Sequence, residues 1–426
     1  MKLGVSQIDI TPQPGVELSG FAARIQPSIG ILDPLFAKAI YISQDKQYLL
    51  WIHTDLIGLE REFVNNFRDW CFEEFGFLRD RVMISSTHTH SAPAVIHLNE
   101  AGTYDPQYLC FLEGKLRQAA KKALGNPLEC ELVTGEGLCR LCKDRRSKAS
   151  AHTDYKAGAV GFRQKNGNFV CAIINYPMHA VALGASNRKI SADVPGKVAT
   201  FLSEHLPGSP VVLATNGACG NLNPPEEGVS VDQIIKWGGE IAGSVLDPLL
   251  ENAPSVNPEF SVRSERVLLP VETLDEKQIE SNVSRALRKG GPVEEWGAVF
   301  ERAVKSWREE MIRSVREGNA EKAREAEIFA VRLGNINFLG INAEVFSKFT
   351  ELVRSQTGLP AYVVGYANGV MGYLPTIEAF QEGGYEADAA HYFYNAFALK
   401  SGGLEHLANQ ASKLLLAFVS VGGQTR

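Results

Sequence analysis

Apolar and polar positions follow two periods along this chain, and the periods take turns. Residues 36–42 and 48–53 are β-rich runs separated by Gln44-Asp45-Lys46, which predicts a hairpin. Residues 61–75 carry apolar side chains at helical spacing, and 81–86 form a short apolar strand. Asp105-Pro106 supplies an N-cap with proline at the first helical position. That predicts a helix running to about Leu124 and stopping at Gly125. Further strands are predicted at 169–174, 210–214, 328–332, 336–341 and 361–364, and helices at 195–205, 231–249 and 404–418. Alternation of this kind predicts an α/β fold of mixed β-sheets flanked by helices, with ligand chemistry at the strand ends. No internal repeat is visible.

Residues 274–326 break the pattern. They are rich in Glu, Arg, Lys and Ala, are interrupted by Gly290-Gly291-Pro292, and read as two solvated helices. They are expected to form a charged helical insertion within one domain spanning 1–426.

Composition narrows the function classes. The 426 residues are 45% hydrophobic and 22% charged, ordinary globular values that exclude a mostly disordered chain. Forty-three basic against forty-nine acidic residues give a formal charge of −6 with no basic tract, so nucleic acid is not an expected partner. The stretch MKLGVSQIDITPQPGVELSG has no apolar run after its single lysine, and no secretory signal is expected. No charge-free stretch approaches the ~20 residues of a membrane-spanning helix. The seven cysteines sit mostly inside apolar patterns, which predicts reduced, packed thiols and a cytoplasmic location. Cys139 and Cys142 form a lone C-x-x-C that reads as buried thiols before it reads as a zinc site.

The sharpest local feature is Thr87-His88-Thr89-His90-Ser91, directly after a β-run. Side chains alternate across a strand, so both imidazoles can face one side and hold a divalent metal, or pair one ligand with one acid–base group. The plainer alternative is a pair of surface histidines, because a metal needs three or four ligands. His179 also follows an apolar strand, where a second ligand is expected, whereas His53 reads as a satisfied core histidine. Glu344 stands between an apolar strand and a helix-like run, a position that suits either a ligand or a helix-start acid. Tyr373 and Tyr385 flank a short acidic helix or turn and could simply pack. Spacing alone supports a metal site at a sheet edge.

An ordered series of motifs extends this reading. It comprises Asp9-Ile10-Thr11-Pro12, Asp33-Pro34-Leu35-Phe36, Thr87-His88-Thr89-His90-Ser91, Met178-His179, Ile190-Ser191-Ala192-Asp193, Asn216-Gly217-Ala218-Cys219-Gly220, Glu344, Tyr373-Leu374-Pro375-Thr376 and Gly384-Tyr385-Glu386. In this series the chain resembles the neutral/alkaline non-lysosomal ceramidase family, in its N-terminal catalytic domain. The longer members continue into an immunoglobulin-like domain, which this chain is expected to lack. Phe380, Glu382 and Asn221 depart from the family pattern.

The resemblance implies a single ceramidase-like catalytic domain with Zn²⁺ held by His88, His179, Glu344 and Tyr373. It implies that His90 moves protons beside the metal, that Tyr385 is an active-site tyrosine, and that Arg145, next to Arg146, faces the substrate. The function it implies is a zinc-dependent amidohydrolase cleaving an N-acyl amide bond with a metal-activated water. A small polar amide, ester or lactone is the other substrate class, and a non-catalytic ligand-binding relative is the competing class of protein. The substrate is thus a small-molecule or lipid amide.

Overall fold

Three mixed β-sheets, wired alike, organise the computed structural model, which describes residues 1–22, 24, 26–146, 148–291 and 296–422. In the first sheet Lys2–Asp9, Phe36–Gln44 and Gln47–Thr54 run antiparallel in turn, and Val82–Ser86 joins parallel to the last of them. The second repeats the scheme with Glu131–Leu138, Lys156–Arg163 and Phe169–Tyr176, and Val211–Asn216 as the parallel strand. The third uses Phe260–Pro270, Ala323–Leu333 and Ile336–Ile341, with Ala361–Val364 parallel. A parallel neighbour needs a crossover, and a helix supplies it each time: Arg61–Phe75, Asp193–His205 and Lys348–Thr357. A second helix follows each parallel strand and packs back on the first strands of its own sheet: Pro106–Gly125, Val231–Glu251 and Gly403–Gly422. The α/β expectation holds, but the chain contains a threefold repetition of topology that the sequence does not reveal.

That periodicity places the core. On one face, Ile40, Ile42, Leu49 and Trp51 meet Cys171, Ile173 and Leu213 of the second sheet and Phe329, Val331 and Phe338 of the third. The alternate residues, such as Ala39, Leu50 and Ile52, pack under the unit's own helices, and the other two sheets do the same. The inner strands, such as Val82–Ser86, Phe169–Tyr176 and Ile336–Ile341, are therefore buried on both faces, which explains their near-continuous apolar character.

Near the strand ends the inner side chains turn polar and tie the sheets together in a ring. His53 Nε2 donates to Ala214 O at 3.0 Å, and Asn175 Nδ2 donates to Val363 O at 2.7 Å. The corresponding carbonyl of the first sheet, Ile84 O, accepts from the Asn368 amide at 2.7 Å. The three carbonyls are equivalent by register, since Ile84, Ala214 and Val363 pair with Ile52, Ile174 and Leu339. His53 is the satisfied core histidine that its context predicts: Ser85 Oγ accepts from Trp51 Nε1 and faces His53 Nδ1 at 2.9 Å.

Two of the strands that the hydrophobic pattern does not single out, Lys2–Asp9 and Glu131–Leu138, contain glycines required by close helix approach. A Cβ on Gly4 would overlap Ala123 O, and one on Gly137 would lie 2.1 Å from Ser244 O, both in the second helix of the unit. Glycine lowers strand propensity, so the residues that permit the packing also hide the strands.

Within 274–326 lie the helices Glu276–Lys289 and Gly297–Arg316 and the start of Ala323–Leu333. The helices differ from the solvated pair expected. Their charges sit outside, where Arg316 bridges Glu276 at 2.7 Å, while Ile279, Val283, Phe300, Val304, Trp307 and Met311 are buried against the third unit.

Candidate active site

The strand ends deliver the site. Ile57, His179 and Glu344 stand at the same distance along the chain past the register-equivalent Ile52, Ile174 and Leu339. Two of these three equivalent positions are polar and converge. His88 follows Val82–Ser86 and Tyr366 follows Ala361–Val364, with φ of 58° and 55°. Bulky residues avoid that left-handed region unless their surroundings impose it. Here the two rings stack on each other with centroids 3.8 Å apart.

His88, His179 and Glu344 are all buried, at 2%, 1% and 2% exposure. His88 Nδ1 lies 2.6 Å from Ile57 O, and His179 Nδ1 lies 2.6 Å from Cys219 O. A carbonyl only accepts, so each Nδ1 carries the proton and each Nε2 presents a lone pair. Those lone pairs point at one carboxylate oxygen: Glu344 Oε2 is 3.0 Å from His179 Nε2 and 3.5 Å from His88 Nε2. His90 Nε2 is 3.2 Å from His88 Nε2. The imidazole nitrogens of His88, His90 and His179 lie within 4.8 Å of one another and could hold a metal ion. Lone pairs and an anion facing each other at these distances repel unless a proton or a metal ion lies among them, and two imidazoles with a carboxylate are a donor set that fits a divalent metal.

Electrostatics agree. Burial works against a charge on His179, yet Cys219 and Glu344 outweigh it and lift its pKa to about 9. Burial also opposes a charged Glu344, but His88, His179 and the Tyr394 hydroxyl bring its carboxyl down to about 2. Burial drives His88 down to about 3, and burial with His88 and His179 nearby drives His90 well below its ordinary value. With no metal the cluster gathers one proton; a cation answers the same demand.

The remaining expected residues form the wall. The two-stranded pair Glu344–Val345 and Tyr373–Leu374 sets Tyr373 beside Glu344. The Tyr373 hydroxyl accepts from Arg145 Nη2 at 3.1 Å, and burial pushes its pKa up while Arg145 opposes the shift. Arg145 also donates to Glu386 Oε1, Gly220 O and Asn223 Oδ1. Arg146 instead donates to Glu386 Oε2, Ala379 O and Gly383 O, away from the histidines. Of the two, Arg145 is the one that contacts Tyr373, though both line the cleft. Tyr385 begins a π-turn and sets its ring edge-on to Tyr373 and Trp296, at 5.6 and 5.8 Å. Asn221 accepts from the Ser347 amide and donates to Asp144, which makes it a cross-link between loops. The seven cysteines are free thiols, and Cys110 is the exposed one.

Two residues at the site carry no sequence signal of their own. Tyr366 lies in a glycine-rich stretch without a legible role, and its hydroxyl is 3.4 Å from Glu344 Oε2. Tyr394 follows a short aromatic helix, and its hydroxyl donates to Glu344 Oε1.

No protein-family model matches the chain. Neutral ceramidase of Drosophila melanogaster is 25% identical over 233 residues, 48% of this chain and 32% of that protein. Neutral ceramidase A of Dictyostelium discoideum is 24% identical over 260 residues, 53% of this chain and 36% of that protein. The matched stretch is thus about a third of each relative's length. The crystal structure of Pseudomonas aeruginosa neutral ceramidase superposes with a TM-score of 0.72 at 17% identity, covering 97% of this chain and 74% of that one. A ceramidase complexed with C2 superposes with a TM-score of 0.74 at 17% identity, over 98% of this chain and 75% of that one. The chain is related in sequence to neutral ceramidases and shares their fold over nearly its whole length.

Proposed function

We propose that this chain is a metal-dependent hydrolase that cleaves an N-acyl amide bond, with zinc as the metal. The observation that carries the reading is the convergence of two Nδ1-protonated imidazoles, His88 and His179, on Glu344 Oε2 in a buried pocket. Tyr373 is the fourth proposed ligand. A divalent ion held there supplies a water of lowered pKa and a Lewis acid for the carbonyl oxygen. Burial and its neighbours keep His90 uncharged, the form that accepts a proton. Its Nε2, beside His88, takes the proton of the attacking water and returns it to the leaving amine. Arg145 donates toward the developing oxyanion, and the Tyr385 hydroxyl, without a hydrogen bond among the described residues, is free to join it. Donors so placed contribute ~3–4 kcal/mol each.

The cleft itself supports a second substrate class, a small amide, ester or lactone with a polar portion. From His90 it opens to about 1060 Å³, with Trp296, Phe300 and Tyr385 on its walls beside Arg146, Arg285 and Lys289. Phe21, Leu274, Trp307 and Phe397 add apolar wall, so the lining offers cationic groups for a polar portion of an amide, ester or lactone beside apolar surface for an acyl portion. Neutral ceramidase relatives make a ceramide-type lipid the alternative. No helix of the described residues is long and apolar enough to cross a membrane.

The test compares the protein as isolated, chelated, and reloaded with zinc on short- and long-chain ceramides and small N-acyl compounds, measuring released acid. Hydrolysis lost on chelation and restored by zinc is expected, with the small compounds turned over faster. Dominant turnover of long-chain ceramide would reverse the substrate preference. Absence of hydrolysis by the metal-loaded protein on every compound would overturn the enzymatic reading.

A further inference from the structure

Resting on the metal site proposed above, we infer that Tyr394 is a positioning residue: it holds one oxygen of Glu344 so that the other alone faces the metal. The two oxygens of this carboxylate have separate surroundings. Oε2 lies among His179 Nε2, His88 Nε2 and the Tyr366 hydroxyl, at 3.0, 3.5 and 3.4 Å. Oε1 accepts the hydrogen bond of the Tyr394 hydroxyl. An O–H bond to an ionised carboxylate is among the stronger neutral-to-charged contacts, and it opposes rotation of Oε1 toward the imidazoles. A carboxylate free at both oxygens can chelate, which adds a ligand and departs from the four-coordinate geometry zinc prefers.

The tyrosine is itself held from two directions. Asn99, in the first unit, donates its amide to Phe393 O and its side chain to Tyr392 O, both at 2.8 Å, and reaches Asn395 Oδ1 at 3.2 Å. Trp307, in the charged helical segment, donates Nε1 to Ala396 O at 2.8 Å. The helices of that segment therefore act on Glu344 through the loop that carries Tyr394. This gives a buried contact to a segment whose composition suggests only a solvated face.

Cobalt(II) serves as a visible probe of the site. Wild-type protein and Tyr394→Phe are titrated with Co²⁺, and affinity and d–d absorption are recorded. Tyr108→Phe is the control, since its buried hydroxyl donates to Ile10 O, away from the site and from the loop that carries Tyr394. Tyr394→Phe is expected to lose about 10–100-fold in affinity, the usual effect of removing a ligand's hydrogen-bond partner. Its absorption is expected to weaken as the coordination number rises, with the control unchanged. Asn99→Ala, which keeps the hydroxyl but frees its loop, moves both readouts the same way to a smaller extent and stands in if Tyr394→Phe does not fold. Wild-type spectrum and affinity in Tyr394→Phe, or in Asn99→Ala where that variant stands in, would overturn the inference while leaving the metal site intact. Wild-type protein that binds no Co²⁺ would overturn the site and the inference together.

Discussion

His88 and His90 show how much two residues can share in sequence and differ in place. His88 is pinned through Nδ1 to Ile57 O and aims Nε2 at Glu344, whereas among the described residues His90 Nδ1 is buried with no hydrogen-bond partner and its Nε2 meets His88 Nε2. A ligand needs its orientation fixed; a proton carrier needs a free lone pair. His90→Ala is therefore expected to retain its metal and lose about 10²–10⁴ in turnover, measured by metal analysis beside steady-state rates. Loss of metal with activity would make His90 a ligand, which the spacing of the three imidazoles allows. The histidines and Glu344 are legible in the sequence because each directly follows an apolar strand. Tyr366 and Tyr394 are not, because their meaning lies in what they touch: one stacks on His88 of another unit, and the other caps Glu344 from a loop of the same unit far along the chain.

Among elements, the crossover helix Arg61–Phe75 and the strands Ile336–Ile341 and Ala361–Val364 appear where their periodicity predicts. The glycine-containing strands were illegible because helix contact, and not propensity, decides them. Contacts between units are also invisible to periodicity. Arg68 of the first crossover helix forms a paired bridge to Glu327 in the third sheet at 2.7 and 3.0 Å, with side chains 2% and 8% exposed. Asn368 Nδ2 donates to the same carboxylate at 3.0 Å, two residues beyond Tyr366. Removing one member of a buried pair strands the other charge, so Arg68→Ala is expected to cost about 3–5 kcal/mol in urea unfolding. Arg68→Met combined with Glu327→Leu should cost much less. A single-variant loss below about 1 kcal/mol would show that the bridge does not couple the units.

At the scale of the whole molecule, three similarly wired units enclose one core and place their strand ends around one pocket. No residue-level repeat betrays this, since three sheets need only matching burial patterns to share a core. Such burial carries a pH signature beyond the proposed metal ligands. His53, fully buried, and His391, half-buried beside the cleft, are lowered to about 3, first by burial and then by Lys38 and Arg324 respectively. Unfolded, each takes a proton near pH ~6.5, so the unfolded chain binds more protons between there and about 3. Stability is complete above pH ~6.5 and falls as the pH drops, by ~1.4 kcal/mol per unit for each histidine. His53→Gln should make melting temperature less dependent on pH between about 6.5 and 4, and an unchanged slope would remove His53 from this role. The pocket's dependence on all three units returns the question to its metal. Elemental analysis of protein purified without chelator, beside His88→Ala and His179→Ala, tests it most directly. The predicted result is about one transition metal per chain in the wild type and its loss from both variants; full metal content in both variants would contradict it.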